Sequence, residues 1–324
     1  MKAAYIHFLV ASIIVIGMHS LAVPQEKLKI AVIPKSNTAM FWKSVHSGAK
    51  LGAVALGDVE LLWRAPVEDD DLQEQISLVD QCVSEGVSGI ALAPMDKAAL
   101  AGAVARAAKK KIPVIIFDSE FKGTLGKDFI ATVGIDNKKG GNIAGEQLAK
   151  LIKGKGKVVM LRVKVGNANI MSREEGFLET IAKYKGIQVI EKNRYASGTT
   201  EKANDECMKM ADKLKEADGI FCSYEQSTMG MLRALRNLNL TGKGKFIGFD
   251  TPAFALEALK RNEINVLVAQ DPAQMGFLCV KTVVDYIHGK KIPSKINVDL
   301  RVITQDNLND PDIQKLLVLP SMAE

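Results

Sequence analysis

Asp118 and Asp250 close two segments of the chain that share one plan. Ser88-Gly89-Ile90-Ala91-Leu92-Ala93-Pro94 opens a block that ends at Ile115-Ile116-Phe117-Asp118-Ser119. Asp218-Gly219-Ile220-Phe221-Cys222-Ser223-Tyr224 opens a second, which ends at Phe246-Ile247-Gly248-Phe249-Asp250-Thr251. The two glycines stand 130 positions apart and the two aspartates 132. Each block reads as an apolar strand, a helix and a second apolar strand closing on Phe-Asp-Ser/Thr. Ligands of parallel α/β sheets bind outside the carboxyl ends of the strands. Two such sheets, each offering one carboxylate from a strand end, predict two lobes facing each other across a cleft. An ionised carboxylate only accepts hydrogen bonds, so the chemistry on offer is the capture of a ligand rich in donors.

Arg173 is the candidate donor. Ser172-Arg173-Glu174-Glu175 has the form of a capping box, with Ser172 as N-cap and Glu175 at the third helical position. Arg173 would then sit in the first turn, where a cation opposes the helix dipole. Two arrangements compensate it: pairing with Glu174 or another nearby carboxylate, or a place in the cleft giving two parallel hydrogen bonds to a ligand's oxygens. Phe41 and Trp42 open a helix directly after the first strand. Adjacent helical residues point about 100° apart. Either one packs while the other faces the cleft, where an aromatic surface suits the C–H side of a sugar ring, or both are packing aromatics.

Reactive chemistry finds no footing. There is no Gly-x-Ser-x-Gly elbow, His-Glu-x-x-His pair or Walker loop. His46 and His288 are far apart at helical positions and read as surface or core residues. Gly140-Gly141 with Gly145 matches a dinucleotide loop weakly and reads as close helix packing. The four cysteines fall in apolar segments at spacings that fit no zinc site; Cys207 and Cys222 share a lobe, and whether they pair is open. The expectation is no catalytic residue, no metal and no cofactor, and a chain that is not an enzyme.

The elements that must hold these residues follow from periodicity. Strands are predicted at Leu28–Ile33, Glu60–Trp63 and Phe129–Val133, then at Lys157–Leu161, Ile187–Ile190, Ile264–Ala269 and Val298–Ile303, besides those of the two blocks. Helices are predicted between them, including Phe41–Leu56, Ser172–Tyr184, Thr200–Leu214 and Gln274–His288. This alternation means parallel sheets covered on both faces. The last helix and strand follow an already complete second lobe, so they cross back and make a multi-stranded hinge. The 324 residues suffice for two domains. The net charge of +6 is mild, and its lysines are scattered or sit at helix ends, which argues against nucleic acid.

Taken in order, several motifs resemble the periplasmic sugar-binding proteins of the ribose-binding type, which share their fold with the ligand-sensing domains of lactose-repressor-like regulators. They are Phe41-Trp42; Ile112-Pro113-Val114-Ile115-Ile116-Phe117-Asp118; Asp136-Asn137 with Gly140-Gly141; Arg173-Glu174-Glu175-Gly176-Phe177; Leu232-Arg233-Ala234-Leu235; Gly248-Phe249-Asp250; and Ala269-Gln270-Asp271-Pro272 with Gln274-Met275-Gly276. The resemblance runs from Leu28 to about Gln305. It implies an α/β fold of two Rossmann-like lobes with parallel sheets, joined by a three-strand hinge near Val133–Asp136, Ala269–Asp271 and Asp299–Arg301. The lobes would comprise 27–134 with 271–299, and 135–270 with 300–324.

Carried over by position, Phe41 and Trp42 would sandwich a sugar ring, Asp118 and Asp250 accept from its hydroxyls, and Arg173 and Gln270 donate. Four positions depart: Ser119 where relatives carry Arg, Tyr224 where they carry Asn, Ser197-Gly198 where they carry an aromatic, and Ala39 where they carry Asn. Ser119 and Tyr224 stay in the expected ligand-binding set. The departures leave hexose, polyol and furanosyl ligands as open as ribose. The implied function is a monomeric solute-binding protein delivering a sugar-like ligand to an ABC transporter permease; the alternative is a ligand sensor for a chemoreceptor or sensor kinase.

Residues 1–22 have the form of a secretory signal: Lys2, an apolar run from Phe8 to Met18, and small residues at Ser20-Leu21-Ala22. The run is shorter than the roughly 20 apolar residues that span a bilayer. Cleavage near Ala22 and export to the periplasm are therefore expected. Mass spectrometry of the exported protein should find an N-terminus near Val23; an intact Met1 form retained inside the cell would refute the assignment.

Overall fold

Short apolar runs alternate with amphipathic ones along the whole chain, and the computed structural model converts each into the element its period demands. It describes residues 26–38, 40–67, 71–163, 168–196 and 198–317; the predicted export segment, Ala39, Ser197 and residues 318–324 lie outside the described residues. The first sheet is built by β1 (Leu28–Ile33), α1 (Met40–Leu56), β2 (Val59–Trp63), α2 (Leu72–Glu85), β3 (Gly89–Leu92), α3 (Ala101–Lys109), β4 (Val114–Phe117) and β5 (Ala131–Gly134). The second comes from α4 (Asn137–Leu151), β6 (Lys155–Val163), α5 (Ala168–Ile181), β7 (Gly186–Ala196), α6 (Thr200–Met208), α7 (Ala211–Glu216), β8 (Gly219–Cys222), α8 (Glu225–Asn237), β9 (Lys245–Phe249), α9 (Ala253–Lys260) and β10 (Val266–Ala269). The chain ends with α10 (Pro272–Ile287), β11 (Lys295–Asn297), β12 (Arg301–Ile303) and α11 (Pro311–Leu317).

The strand orders are β11-β5-β4-β3-β1-β2 and β12-β10-β9-β8-β6-β7, two copies of one doubly wound arrangement. All pairings are parallel except β10 with β12. Central strands β3, β4, β8 and β10 are buried at every residue, as strands covered on both faces must be. The chain passes between the sheets three times: from β5 to α4, from β10 to α10, and from β11 to β12. One apolar cluster runs from Ile30 and Ile115 of the first sheet through Phe117, Val133 and Val298 to Phe249 and Val158 of the second. Separate clusters fill the outer faces of the two sheets.

Two predicted elements are cut short or broken. The late strand predicted at Val298–Ile303 forms only over β12 (Arg301–Ile303): 298–300 is the crossing, and β11 (Lys295–Asn297), just ahead of the predicted range, pairs in the other sheet. A strand that leaves one sheet for the other cannot keep a single ladder, and β12 arrives running against its neighbour. The helix predicted over Thr200–Leu214 breaks into α6 and α7 where Met210 turns into the core at 3% exposure.

In each half the helix that follows the first strand crosses the helix that follows a hinge passage: α1 against α10, and α5 against α4. The crossings are backbone to backbone. A Cβ on Gly48 would lie 1.8 Å from the Ala273 carbonyl oxygen, and one on Gly141 1.8 Å from that of Arg173. Gly141 is thus a packing residue, as its sequence context suggested. No rotamer change relieves a clash with a carbonyl, so Gly141→Ala should cost the ~1–3 kcal/mol of an overpacked core or more. Urea denaturation should show a lower midpoint, while a surface substitution such as Gly57→Asn should not move it comparably.

Candidate functional site

The carboxyl end of β4 delivers Asp118 and that of β9 delivers Asp250, each in the left-handed region, at φ 60° and 64°. Aspartate tolerates this conformation better than most residues. Each backbone N–H is held by the next strand: Asp118 N–H donates to Val133 O at 2.9 Å, and Asp250 N–H to Val268 O at 3.0 Å. The left-handed step turns each chain sharply off its strand at the level of the crossings. The duplicated Phe-Asp of the sequence is thus a duplicated backbone geometry.

Asp118 is surrounded by donors. Lys35, just past the end of β1, places Nζ 2.7 Å from Oδ2, and Ser119 Oγ donates to the same oxygen at 3.0 Å. Asn169 of α5 donates its Nδ2 to the Asp118 backbone carbonyl, a bond from one half of the molecule to the other. Lys35 Nζ also lies 5.9 Å from the centre of the Trp42 ring.

Arg173 does not sit where the capping box put it. Helix α5 begins at Ala168, so Ser172 is inside the helix and is not its cap. Glu175 instead approaches Lys138 on the surface. Arg173 does not pair with Glu174 either. Glu174 is fully buried and accepts from Arg162 Nε at 2.7 Å, Val163 N–H at 2.6 Å and Ser223 Oγ at 3.2 Å, which clamps α5 to β6 and β8. Arg173 turns the other way. It is 4% exposed, donates from Nε to Asn137 Oδ1 at 2.8 Å and from NH1 to Ser223 O at 3.1 Å, and its guanidinium lies 4.1 Å over the Phe249 ring. Burial lowers its pKa, while the charges of Asp250 and Asp118 pull it up.

Around Asp250 the donors are fewer. Gln270, 4% exposed at the β10 crossing, donates Nε2 to Oδ1 at 2.7 Å. Burial raises the Asp250 pKa; Arg173, the Gln270 bond and the backbone N–H of Glu225 oppose that. Glu225, the first residue of α8, is pushed up to about 7, mainly by burial and then by Asp250. Tyr224, at the N-cap of α8, is 6% exposed, and its hydroxyl has no hydrogen-bond partner among the described residues. Burial pushes its pKa up, with Cys222 and Glu174 adding to the shift.

Two cavities flank this centre. One of about 280 Å³ is lined by Phe41, Glu225, Asp250, Thr251 and Gln270 with apolar neighbours from α1, α9 and α10. The other, of about 260 Å³, is lined by Asp118, Ser119, Asn137, Asn169 and the β5 crossing. Phe41 faces the first cavity, while Trp42, 7% exposed, packs edge-on against Phe41 and Phe117. Of the eight residues singled out in the sequence, Phe41, Asp118, Ser119, Asp250 and Gln270 line the two cavities, while Trp42, Arg173 and Tyr224 are buried behind them.

Sequence reading missed Lys35, Asn137, Asn169 and the face of Phe249. Lys35 stands at a strand's carboxyl end, the same signal that pointed to the aspartates. Asn137 stands in the Asp136-Asn137 motif without a role assigned to it, and Asn169 carries no local signal. All four cysteines are free and buried, Cys207 and Cys222 among them. Among the described residues no cluster of His, Cys, Asp or Glu has the form of a metal site, and no helix is long and apolar enough to cross a membrane.

Comparison with known proteins gives a consistent result. Residues 30–291 match the family model described as a periplasmic binding protein domain. The chain is 27% identical over 296 residues to the ribose import binding protein of Haemophilus influenzae, covering 90% of this chain and 95% of that one. It is 29% identical over 269 residues to the D-allose-binding periplasmic protein of Escherichia coli, covering 81% and 86%. Among solved structures, an ABC transporter solute-binding protein from Agrobacterium vitis with bound D-fucose superposes with a TM-score of 0.83 at 27% identity, covering 90% of this chain and all of that one.

The raised Glu225 carboxyl has a consequence for stability. A carboxyl whose pKa is higher in the folded than in the unfolded chain holds its proton longer when folded. Its contribution is therefore present below the unfolded value near 4.3 and is lost as pH rises through about 7. Ligand-free Glu225→Gln should accordingly be more heat-stable than the parent protein at pH 8, and the gap should close towards pH 5. Equal melting temperatures at pH 8 would contradict the assignment.

Proposed function

The chain belongs to the periplasmic binding protein family, and on that premise we propose that it captures one sugar-like polyhydroxyl ligand between its two lobes and presents it to an ABC transporter. The observation that carries this reading is the pair of left-handed strand-end aspartates facing a buried arginine at the hinge. A polyhydroxyl ligand has hydroxyls that donate to carboxylates and accept from a guanidinium, and bonds with an ionised partner are about twice as strong as neutral ones. Tight capture follows with no chemical step. Relatives named for ribose and allose, and a neighbour holding D-fucose, support this ligand class.

The ligand set is Phe41, Trp42, Asp118, Ser119, Arg173, Tyr224, Asp250 and Gln270, with Phe41 against the ring and Trp42 backing it. The lobes are residues 27–134 with 271–299 and residues 135–270 with 300–324, working in the periplasm as a monomer after loss of residues 1–22. The lobes close over the ligand about the three crossings, and the Asn169 bond to the Asp118 carbonyl is a contact made on closing.

Thermal-shift screening of the mature protein against pentoses, hexoses and polyols tests the reading. A ligand at 100 times its dissociation constant should add ~2.7 kcal/mol of stability. Because Arg173 and Gln270 are nearly fully buried, the informative variants keep shape: Asp118→Asn and Asp250→Asn. Each should weaken the binding of a sugar identified in that screen by about ten- to a hundredfold, the worth of a charge-assisted bond of ~1.5–3 kcal/mol. Calorimetry measures the affinity and circular dichroism checks folding. Parental affinity in both variants would move the site elsewhere.

A further inference from the structure

The two strand-end aspartates are alike in backbone and unlike in company. Asp118 has its own cation, Lys35 at 2.7 Å, and a hydroxyl from Ser119. Asp250 forms no ion pair among the described residues; it has Gln270 and a backbone N–H instead, and a second carboxylate, Glu225, on the same cavity wall. Arg173 acts on both aspartates through its field, but it donates to Asn137 and Ser223. The amide of Gln270 gives one N–H to Asp250, and its Oε1 is buried with no hydrogen-bond partner among the described residues. Ser44, on the same wall, donates its hydroxyl to the Met40 carbonyl at 3.1 Å, which leaves its oxygen able only to accept. This side of the cleft is rich in acceptors, and the one cation among the described residues whose field reaches Asp250, Arg173, gives its hydrogen bonds to other groups.

We propose that Glu225, Asp250 and Gln270 Oε1 form a subsite for a protonated amine, and that the ligand is an amino sugar or a closely related aminated polyol. An ammonium carries three donors and no acceptor, which matches two carboxylates and an orphaned amide oxygen. Phe41 lines the same cavity, and an aromatic face attracts a cation. The elevated Glu225 carboxyl, pushed up to about 7 by burial and then by Asp250, holds its proton part of the time at neutral pH in the ligand-free site. An anionic sugar would meet two carboxylates here and is disfavoured.

The inference rests on the reading of the cleft as a sugar site, and one experiment separates the two. Isothermal calorimetry at pH 7.5 compares D-glucosamine, D-galactosamine, D-mannosamine and 2-amino-2-deoxy-D-ribose with their neutral parents and their N-acetyl forms. At least one amine should bind ten times or more tighter than both its parent and its N-acetyl form. Glu225→Gln should bring that amine down to the level of its N-acetyl form, whereas Glu225→Asp, which keeps the charge, should retain the preference; circular dichroism checks that both fold. If neutral sugars bind and no amine exceeds its parent, or if Glu225→Gln keeps the preference, the amine subsite is wrong and the sugar reading stands. If no sugar of either kind binds, both fall together.

Discussion

A guanidinium held 4% exposed at the meeting of two sheets is the constraint around which this molecule is arranged. Removing a charge from water costs several kcal/mol even after relaxation, unless hydrogen bonds and opposite charge replace the solvent. Arg173 is provided with both, and from different parts of the chain. Asn137 begins the helix after the first crossing, Ser223 directly follows a strand of the second sheet, Phe249 supplies an aromatic face, and the two aspartates supply negative charge. Glu174, next in sequence, is buried just as deeply but is committed to Arg162 and the backbone of β6. Adjacent opposite charges thus serve two purposes: one locks α5 into its own lobe and the other faces the hinge.

The same economy is visible in the backbone. Both halves repeat a strand that ends on an aspartate in the left-handed region, and both repeat a glycine-mediated crossing between the helix after the first strand and a helix after a hinge passage. The crossings make the helices around the hinge rigid parts of their lobes. Motion is then left to the three short passages, as hinge closure requires. The duplication does not extend to the side chains around the aspartates, with a lysine beside one and a glutamate beside the other. A common frame with unlike walls is how one fold takes different ligands.

Sequence alone determined a good deal. Alternation of apolar strands with amphipathic helices, the 130-residue repeat and the Phe-Asp strand ends were enough for two parallel sheets, a cleft between them, and carboxylates at its edge. They were legible because periodicity, strand-end position and helix-terminating glycines such as Gly86 are local properties, set by neighbours a few residues away. Only the tertiary structure decided which partner each charge takes. Lys35 meets Asp118 across 83 positions and Arg173 meets Asn137 across 36. It also decided that Phe41 faces a cavity while Trp42 packs, that α5 starts four residues before its apparent cap, and that the first half of the predicted late strand is a crossing between two sheets. Each of these depends on sheet order and on desolvation at the junction of the lobes. Those are properties of the assembled fold, and no window of the chain contains them.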